Sequence, residues 1–235
     1  MNKTIPLIVI LCVIVATPLM GQTKKAGQAP KAGSCLGCHA DMAAVLPKDH
    51  KPVKGTDITA CVGCHKPDLS GKPEANNFSA RLHRAHVKPE AKTECALCHV
   101  WAPGKPISVK GTKASLGPVS KGTMSLLKAM FVSWAASSYL DAIHDKGNIV
   151  CLACHGKTLP EAGDTVENDR CLSCHGPMDT LAARSAPKDF PDRNPHKSHL
   201  GDIACTVCHH VHSASKVYCL ECHAKFTMKI PEGNS

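Results

Sequence analysis

The pattern that most limits what this chain can become is Cys-x-x-Cys-His, written seven times in 235 residues. The copies are Cys35/Cys38/His39, Cys61/Cys64/His65, Cys95/Cys98/His99, Cys151/Cys154/His155, Cys171/Cys174/His175, Cys205/Cys208/His209 and Cys219/Cys222/His223. Of the 15 Cys, Cys12 alone stands outside them. A His after every pair has chance odds of about one in twenty at each site, raised to the seventh power, so the position answers a chemical need. Two other uses of paired Cys fit less well. Zinc ribbons gather pairs into sets of four ligands and place no demand on the next residue. A disulfide framework needs no His at all.

Covalent attachment of c-type haem needs both parts of the pattern. Two thiols add to the two vinyl groups on one porphyrin edge, and the adjacent imidazole reaches the iron from one face. Seven haem c groups are therefore expected, with His39, His65, His99, His155, His175, His209 and His223 as proximal ligands.

Eight His remain: His50, His83, His86, His144, His196, His199, His210 and His212. Seven irons with a second His would use seven of them. His83 and His86 lie three apart upstream of Cys95, and His196 and His199 three apart upstream of Cys205. One iron accepts a single further axial ligand, so two neighbouring His are expected to serve two different irons. His212 is the better distal candidate after the sixth motif, and His210 is expected to be the spare. Met42 and Met178 follow His39 and His175 by three residues and read as packing against porphyrin faces rather than as ligands. The distal candidates are thus His50, His83, His86, His144, His196, His199 and His212.

Composition points the same way. Only eight residues are Phe, Tyr or Trp, too few for an ordinary aromatic core, yet 43% are apolar and 20% charged, which excludes a disordered chain. About 30 residues per haem cannot wrap each group in its own helical pocket. The porphyrins must pack on one another, so the expected fold is mostly irregular with short α-helices, haem-packed, in two modules, with little or no β-sheet. Close packing is also the condition for electrons to pass along a row of irons.

Residues 1–21 carry Lys3, then an apolar stretch from Ile5 to Ala16, then Thr17 to Gly21 before a polar sequence. That order is a secretory signal, either cleaved after Gly21 or kept as an anchor through which membrane contact is made. The body of the chain is expected in the periplasm.

The motifs divide into three before residue 100 and four after residue 150. We read 22–102 as a three-haem module, 103–122 as a linker rich in Gly, Pro, Ser and Lys, 123–143 as a connecting helix, and 144–235 as a tetrahaem module. On the helix, Leu127, Met130, Phe131, Trp134 and Leu140 share a side at helical spacing, with Lys146 and Gly147 as end signals and His144 at its end as ligand. The shorter module repeats the plan His-x-x-His then Cys-x-x-Cys-His. It departs in two ways: Val100 and Trp101 follow His99 where no further His comes, and His50 lies between its first two motifs. An open sixth position, if there is one, is expected in this module.

From Ala142 to Lys225 the order is His144, two motifs each followed by Gly (Gly156, Gly176), His196-x-x-His199, a third motif, His212, and a fourth motif. This stretch resembles the small periplasmic tetrahaem cytochromes and the tetrahaem domain of the flavocytochrome fumarate reductases, within the class III multihaem cytochromes. The resemblance implies four bis-His haems in a compact chain that exchanges electrons with protein partners. It stops at Lys225, and the reductase activity of the longer relatives is not carried over.

The function these features imply is electron transfer without substrate chemistry, between a quinol dehydrogenase and a terminal reductase or outer-membrane conduit in anaerobic respiration. The competing class is a reductase of nitrite or hydroxylamine at one five-coordinate haem. A third is a subunit of a conducting filament, for which the sequence carries no polymerisation signal. The formal charge of +9 suggests a nucleic-acid binder until haem is counted. Each ferric haem contributes about −1, so seven reduce the sum to roughly +2, and nucleic acid loses its support as a partner. The charge is also divided: residues 22–121 hold 16 Lys and Arg against 7 Asp and Glu, and residues 122–235 hold 11 against 12.

Overall fold

A computed structural model of the chain describes residues 34–66, 70–73, 77–91 and 93–230. The expected signal or anchor at 1–21 lies outside the described residues. Among the described residues seven short α-helices form: α1 (Ile58–Val62), α2 (Phe78–His86), α3 (Lys121–Ala136), α4 (Leu140–Lys146), α5 (Cys151–His155), α6 (Asn168–His175) and α7 (Met178–Arg184). One three-stranded antiparallel sheet joins β1 (His99–Val100), β2 (Lys105–Val109) and β3 (Ser115–Val119) in that order. The rest is 3-10 turns and irregular chain, so the fold is mostly irregular with little sheet.

The helices begin where short polar side chains cap them. Asp57 accepts from the Thr59 amide, Asn77 from Ala80 and Ser120 from Thr123, each satisfying an amide the first turn leaves open. α5 and α6 end at Gly156 (φ 66°) and Gly176 (φ 84°), left-handed positions that stop each helix directly after its motif His.

Two expectations about the middle of the chain need correcting. The segment 103–122 is a β-hairpin, not an irregular linker. Ile107 pairs with Leu116 and Lys105 with Val119, and β1 adds His99 opposite Val109. Pro106, Pro118 and the lysines conceal a period-two alternation of Ile107 and Val109 with polar neighbours, and composition alone records the prolines rather than the alternation. The single helix over 123–143 is two helices. The chain turns extended at Ser137, whose hydroxyl accepts from the Tyr139 amide at 3.0 Å. Serine hydroxyls compete for backbone amides in this way and favour helix ends over interiors.

Among the described residues, Ile58, Val119, Trp134 and Ala182 are the buried apolar side chains. Four side chains are far too small a core for a chain of this length. What holds the halves together is specific contact. Arg84 of α2 pairs with Asp145 of α4 and lies over the Trp134 ring at 5.0 Å. A Cβ at Gly71 would stand 2.7 Å from the Leu152 carbonyl oxygen, so the 70–73 segment runs directly against α5.

Candidate haem iron centres

Each Cys-x-x-Cys-His forms one helical turn. The His amide bonds back to the first Cys carbonyl at 3.0 Å for His39, 2.9 Å for His65 and His209, and 2.8 Å for His223. Residues i and i+3 of such a turn share a face, which sets the two thiols side by side, with the imidazole one residue further. None of the fourteen described Cys pairs in a disulfide.

The second Cys of four motifs, Cys38, Cys64, Cys174 and Cys222, is exposed, while its partner, Cys35, Cys61, Cys171 or Cys219, is half-buried. In the other three motifs Cys95, Cys98, Cys154, Cys205 and Cys208 are half-buried and Cys151 is exposed.

Burial raises the thiol pKa of Cys61, Cys98 and Cys154, and of Cys151, whose thiol is turned inward although the residue as a whole is open. Burial beside Cys171 pushes Cys205 up to about 11.

The imidazoles come together two by two. His39 faces His86 with ring centres 6.0 Å apart, His65 faces His50 at 6.0 Å, and His99 faces His83 at 5.8 Å. Further along, His155 faces His212 at 6.2 Å, His175 faces His144 at 6.1 Å, His209 faces His196 at 6.2 Å, and His223 faces His199 at 6.0 Å. Every motif His thus stands opposite one of the other candidates. His210 instead has its Nδ1 on the Ala214 carbonyl at 3.0 Å.

This spacing fits one iron between each pair. A metal–imidazole bond of about 2 Å on either side, plus the ring radius, separates two trans rings by about 6 Å. Among the described residues no three His, Cys, Asp or Glu converge on a point as a bare ion would require. Two axial nitrogens and a thiol pair match a porphyrin, which brings its own four equatorial nitrogens. Beside Cys154 and His155 opens a cleft of about 470 Å³, lined by Leu159, Asp164 and Arg170 among others, of cofactor size.

Hydrogen bonds fix which nitrogen points inward. The Nδ1 of His83 lies 2.8 Å from the Ser79 carbonyl, that of His86 2.8 Å from Leu82, that of His144 2.7 Å from Leu140, and that of His50 2.7 Å from Lys51. His196 uses the Ser185 hydroxyl at 2.7 Å, and His212 the Asp141 carboxylate at 2.9 Å. An Nδ1–H that donates outward leaves the Nε2 lone pair free for a metal. Burial lowers the pKa of His83, His99, His155, His196 and His209, favouring the neutral imidazole that coordinates.

The two His-x-x-His segments follow one rule. The first His of each faces the motif that follows it (His83 to His99, His196 to His209), with ring planes 11° and 3° apart. The second reaches a different motif (His86 to His39, His199 to His223), with planes at 90° and 79°. The hairpin has a counterpart too: the Lys110 amide donates to the Cys98 carbonyl at 2.9 Å, and the Lys216 amide to Cys208 at 3.0 Å. The segment read as a linker therefore clamps the third motif, with Lys110 Nζ reaching the Ala96 carbonyl at 2.6 Å.

Sequence reading missed the side chains behind the ligands. Phe78 stacks on His65 at 4.5 Å, Phe131 on His83 at 4.8 Å and Phe226 on His223 at 4.5 Å. Three of the four Phe thus back imidazoles. Phe226 stands three residues beyond His223, a spacing that could have flagged it. Nothing local marks Phe78, Arg84 or Asp141.

Cysteine pairs on a helical turn, each followed by an imidazole that faces another, fit a c-type cytochrome with several haems. Residues 143–224 match the cytochrome c3 family. The probable fumarate reductase Ifc3 of Shewanella frigidimarina is 45% identical over 75 residues, covering 32% of this chain and 12% of that protein. The cytochrome c-type protein Cgr1 of Eggerthella lenta is 27% identical over 163 residues, covering 68% of this chain and 59% of that one. The chain therefore spans about an eighth of the first relative and under two thirds of the second. No solved structure matches the chain. These likenesses support a multihaem c-type cytochrome with a tetrahaem-like segment.

Proposed function

We propose that this protein carries seven covalently attached c haems, each iron held by two His, and passes electrons in the periplasm between a quinol-linked donor and a reductase or outer-membrane conduit. The observation that carries the reading is the set of seven facing imidazole pairs at 5.8–6.2 Å. The haem irons supply one-electron redox chemistry. The chain supplies the thiols that attach them and two imidazoles per site. A saturated iron gives a small oxidant no coordination position, so the arrangement speaks for a carrier over a nitrite or hydroxylamine reductase.

Shared elements set the sites beside one another. α2 carries His83 and His86, which belong to the sites of His99 and His39. α4 carries His144, opposite His175, and Asp141, bonded to His212 of the His155 site. The Cys171 and Cys205 thiols adjoin, linking the His175 and His209 sites, and the 196–199 turn links His209 to His223. With Arg84 and Asp145 joining α2 to α4, these shared elements connect six of the seven sites. Every pair lies within residues 39–99 or within 144–223, in support of a three-haem and a four-haem module.

Haem stoichiometry and spin state test the reading together. Intact mass and a haemochrome assay should give seven haems per chain, and the oxidised protein should be low-spin throughout. Fewer than seven, or a high-spin component that responds to nitrite or cyanide, would count for the reductase instead.

A further inference from the structure

The distal imidazoles differ in what stands behind them. Those of His50, His83, His86 and His144 meet backbone carbonyls, and that of His196 a hydroxyl. His212 alone among them meets a carboxylate, Asp141 Oδ2, at 2.9 Å. Asp141 is 7% exposed, in the first turn of α4. Its amide donates to the Val211 carbonyl at 3.0 Å, and its Oδ1 accepts from the Ala142 amide at 2.8 Å. The carboxylate is thus built into the junction of α4 with the 211–212 segment and aimed at one ring nitrogen.

We infer that Asp141 is a positioning and charge-tuning residue that makes the His155/His212 site the most electron-rich of the seven, and so the last to be reduced. The inference rests on the proposed bis-His reading. A carboxylate accepting from Nδ1–H draws the proton outward and raises the electron density at Nε2, which strengthens it as a donor to the iron. A ferric centre gains more from that density than a ferrous one, and a buried negative charge nearby adds to the difference. The step affected is uptake of one electron from a redox partner, in which no bond forms or breaks.

The test is a potentiometric titration of the holoprotein resolved by site. Asp141→Asn removes the charge and leaves a single oxygen acceptor, which can take the His212 donor at the expense of the Ala142 amide. It should shift one of seven one-electron components upward by about tenfold in its equilibrium constant, about 59 mV, and leave six in place. Asp141→Glu should restore the low value. Seven unchanged components would overturn the inference, as would a high-spin site in Asp141→Asn, which would make the residue a mere prop for His212. A second measurement needs no variant: in the reduced, diamagnetic protein the His212 Nδ1 proton should lie furthest downfield of the six distal Nδ1 protons named above. A His212 signal like those of His83 and His86 would also overturn it. Failure of the bis-His reading would appear separately, as fewer than seven low-spin haems in the unaltered protein.

Discussion

Arg84 and Asp145, 61 residues apart, form an ion pair between α2 and α4, the helices that carry three of the distal imidazoles. The Arg84 side chain is 39% exposed and that of Asp145 11%. Trp134 lies under the guanidinium and meets Phe131 edge-on, and Phe131 stacks on His83. The contact between the halves of the molecule is therefore made at the ligand-bearing helices themselves.

Arg84→Ala should lower stability by about 1–2 kcal/mol, less than a fully buried pair would lose because Arg84 is partly in water. Electron equilibration between the two groups of haems should slow while haem content is unchanged. Thermal unfolding and stopped-flow reduction kinetics check the two parts.

Gly71→Ala should cost about 1–3 kcal/mol, since its Cβ would meet the Leu152 carbonyl and only backbone movement can relieve that. Gly104→Ala, where nothing stands within 4 Å of the added Cβ, is the comparison for the shared left-handed φ. Denaturant titration should separate the two.

Ring-plane angles predict the paramagnetic resonance spectrum. Parallel imidazoles split the iron d orbitals and give a rhombic signal, whereas perpendicular ones leave two orbitals nearly degenerate and move the signal to low field. The His39, His175 and His223 sites, at 90°, 90° and 79°, should supply the low-field component. The His99, His155 and His209 sites, at 11°, 10° and 3°, should be rhombic. His86→Ala should then remove low-field intensity and His83→Ala rhombic intensity.

His210→Ala should leave all seven haems low-spin, because its ring faces no motif imidazole. His86→Ala should open one coordination position opposite His39. Carbon monoxide binding to the reduced variants, one equivalent for His86→Ala and none for His210→Ala, is the readout.

The uneven charge predicts a salt-sensitive encounter with an acidic partner at residues 22–121, where 16 basic residues face 7 acidic ones. Raising ionic strength from 0.01 to about 0.15 M shortens the screening length from about 30 to 8 Å. The electron-exchange rate with such a partner should fall accordingly, and lysine-to-glutamate changes in this half should mimic the effect.

What could be read in advance was whatever the chemistry writes into adjacent residues. Cys-x-x-Cys-His is such a case, since attachment and axial ligation use one helical turn. Gly156 and Gly176 are another, since a helix must stop right after its motif. The hairpin at 105–119 stayed hidden because Pro106 and Pro118 imitate a linker, although the clamp it forms on Cys98 is a long-range pairing. The break at Ser137 was concealed by apolar spacing that continues through it. Nothing local marks Asp141, because its partner stands 71 residues away.

The sequence by itself determined that the chain is a c-type cytochrome with little apolar core, because thiol pairs, adjacent imidazoles and scarce aromatics are local or compositional facts. Which second His faces which motif, what backs each imidazole and how α2 meets α4 were decided only by the tertiary structure. The physical reason is that an axial pair needs two rings about 6 Å apart, a distance sequence separation does not encode. His50 and His65 meet across 15 residues, while His155 and His212 meet across 57.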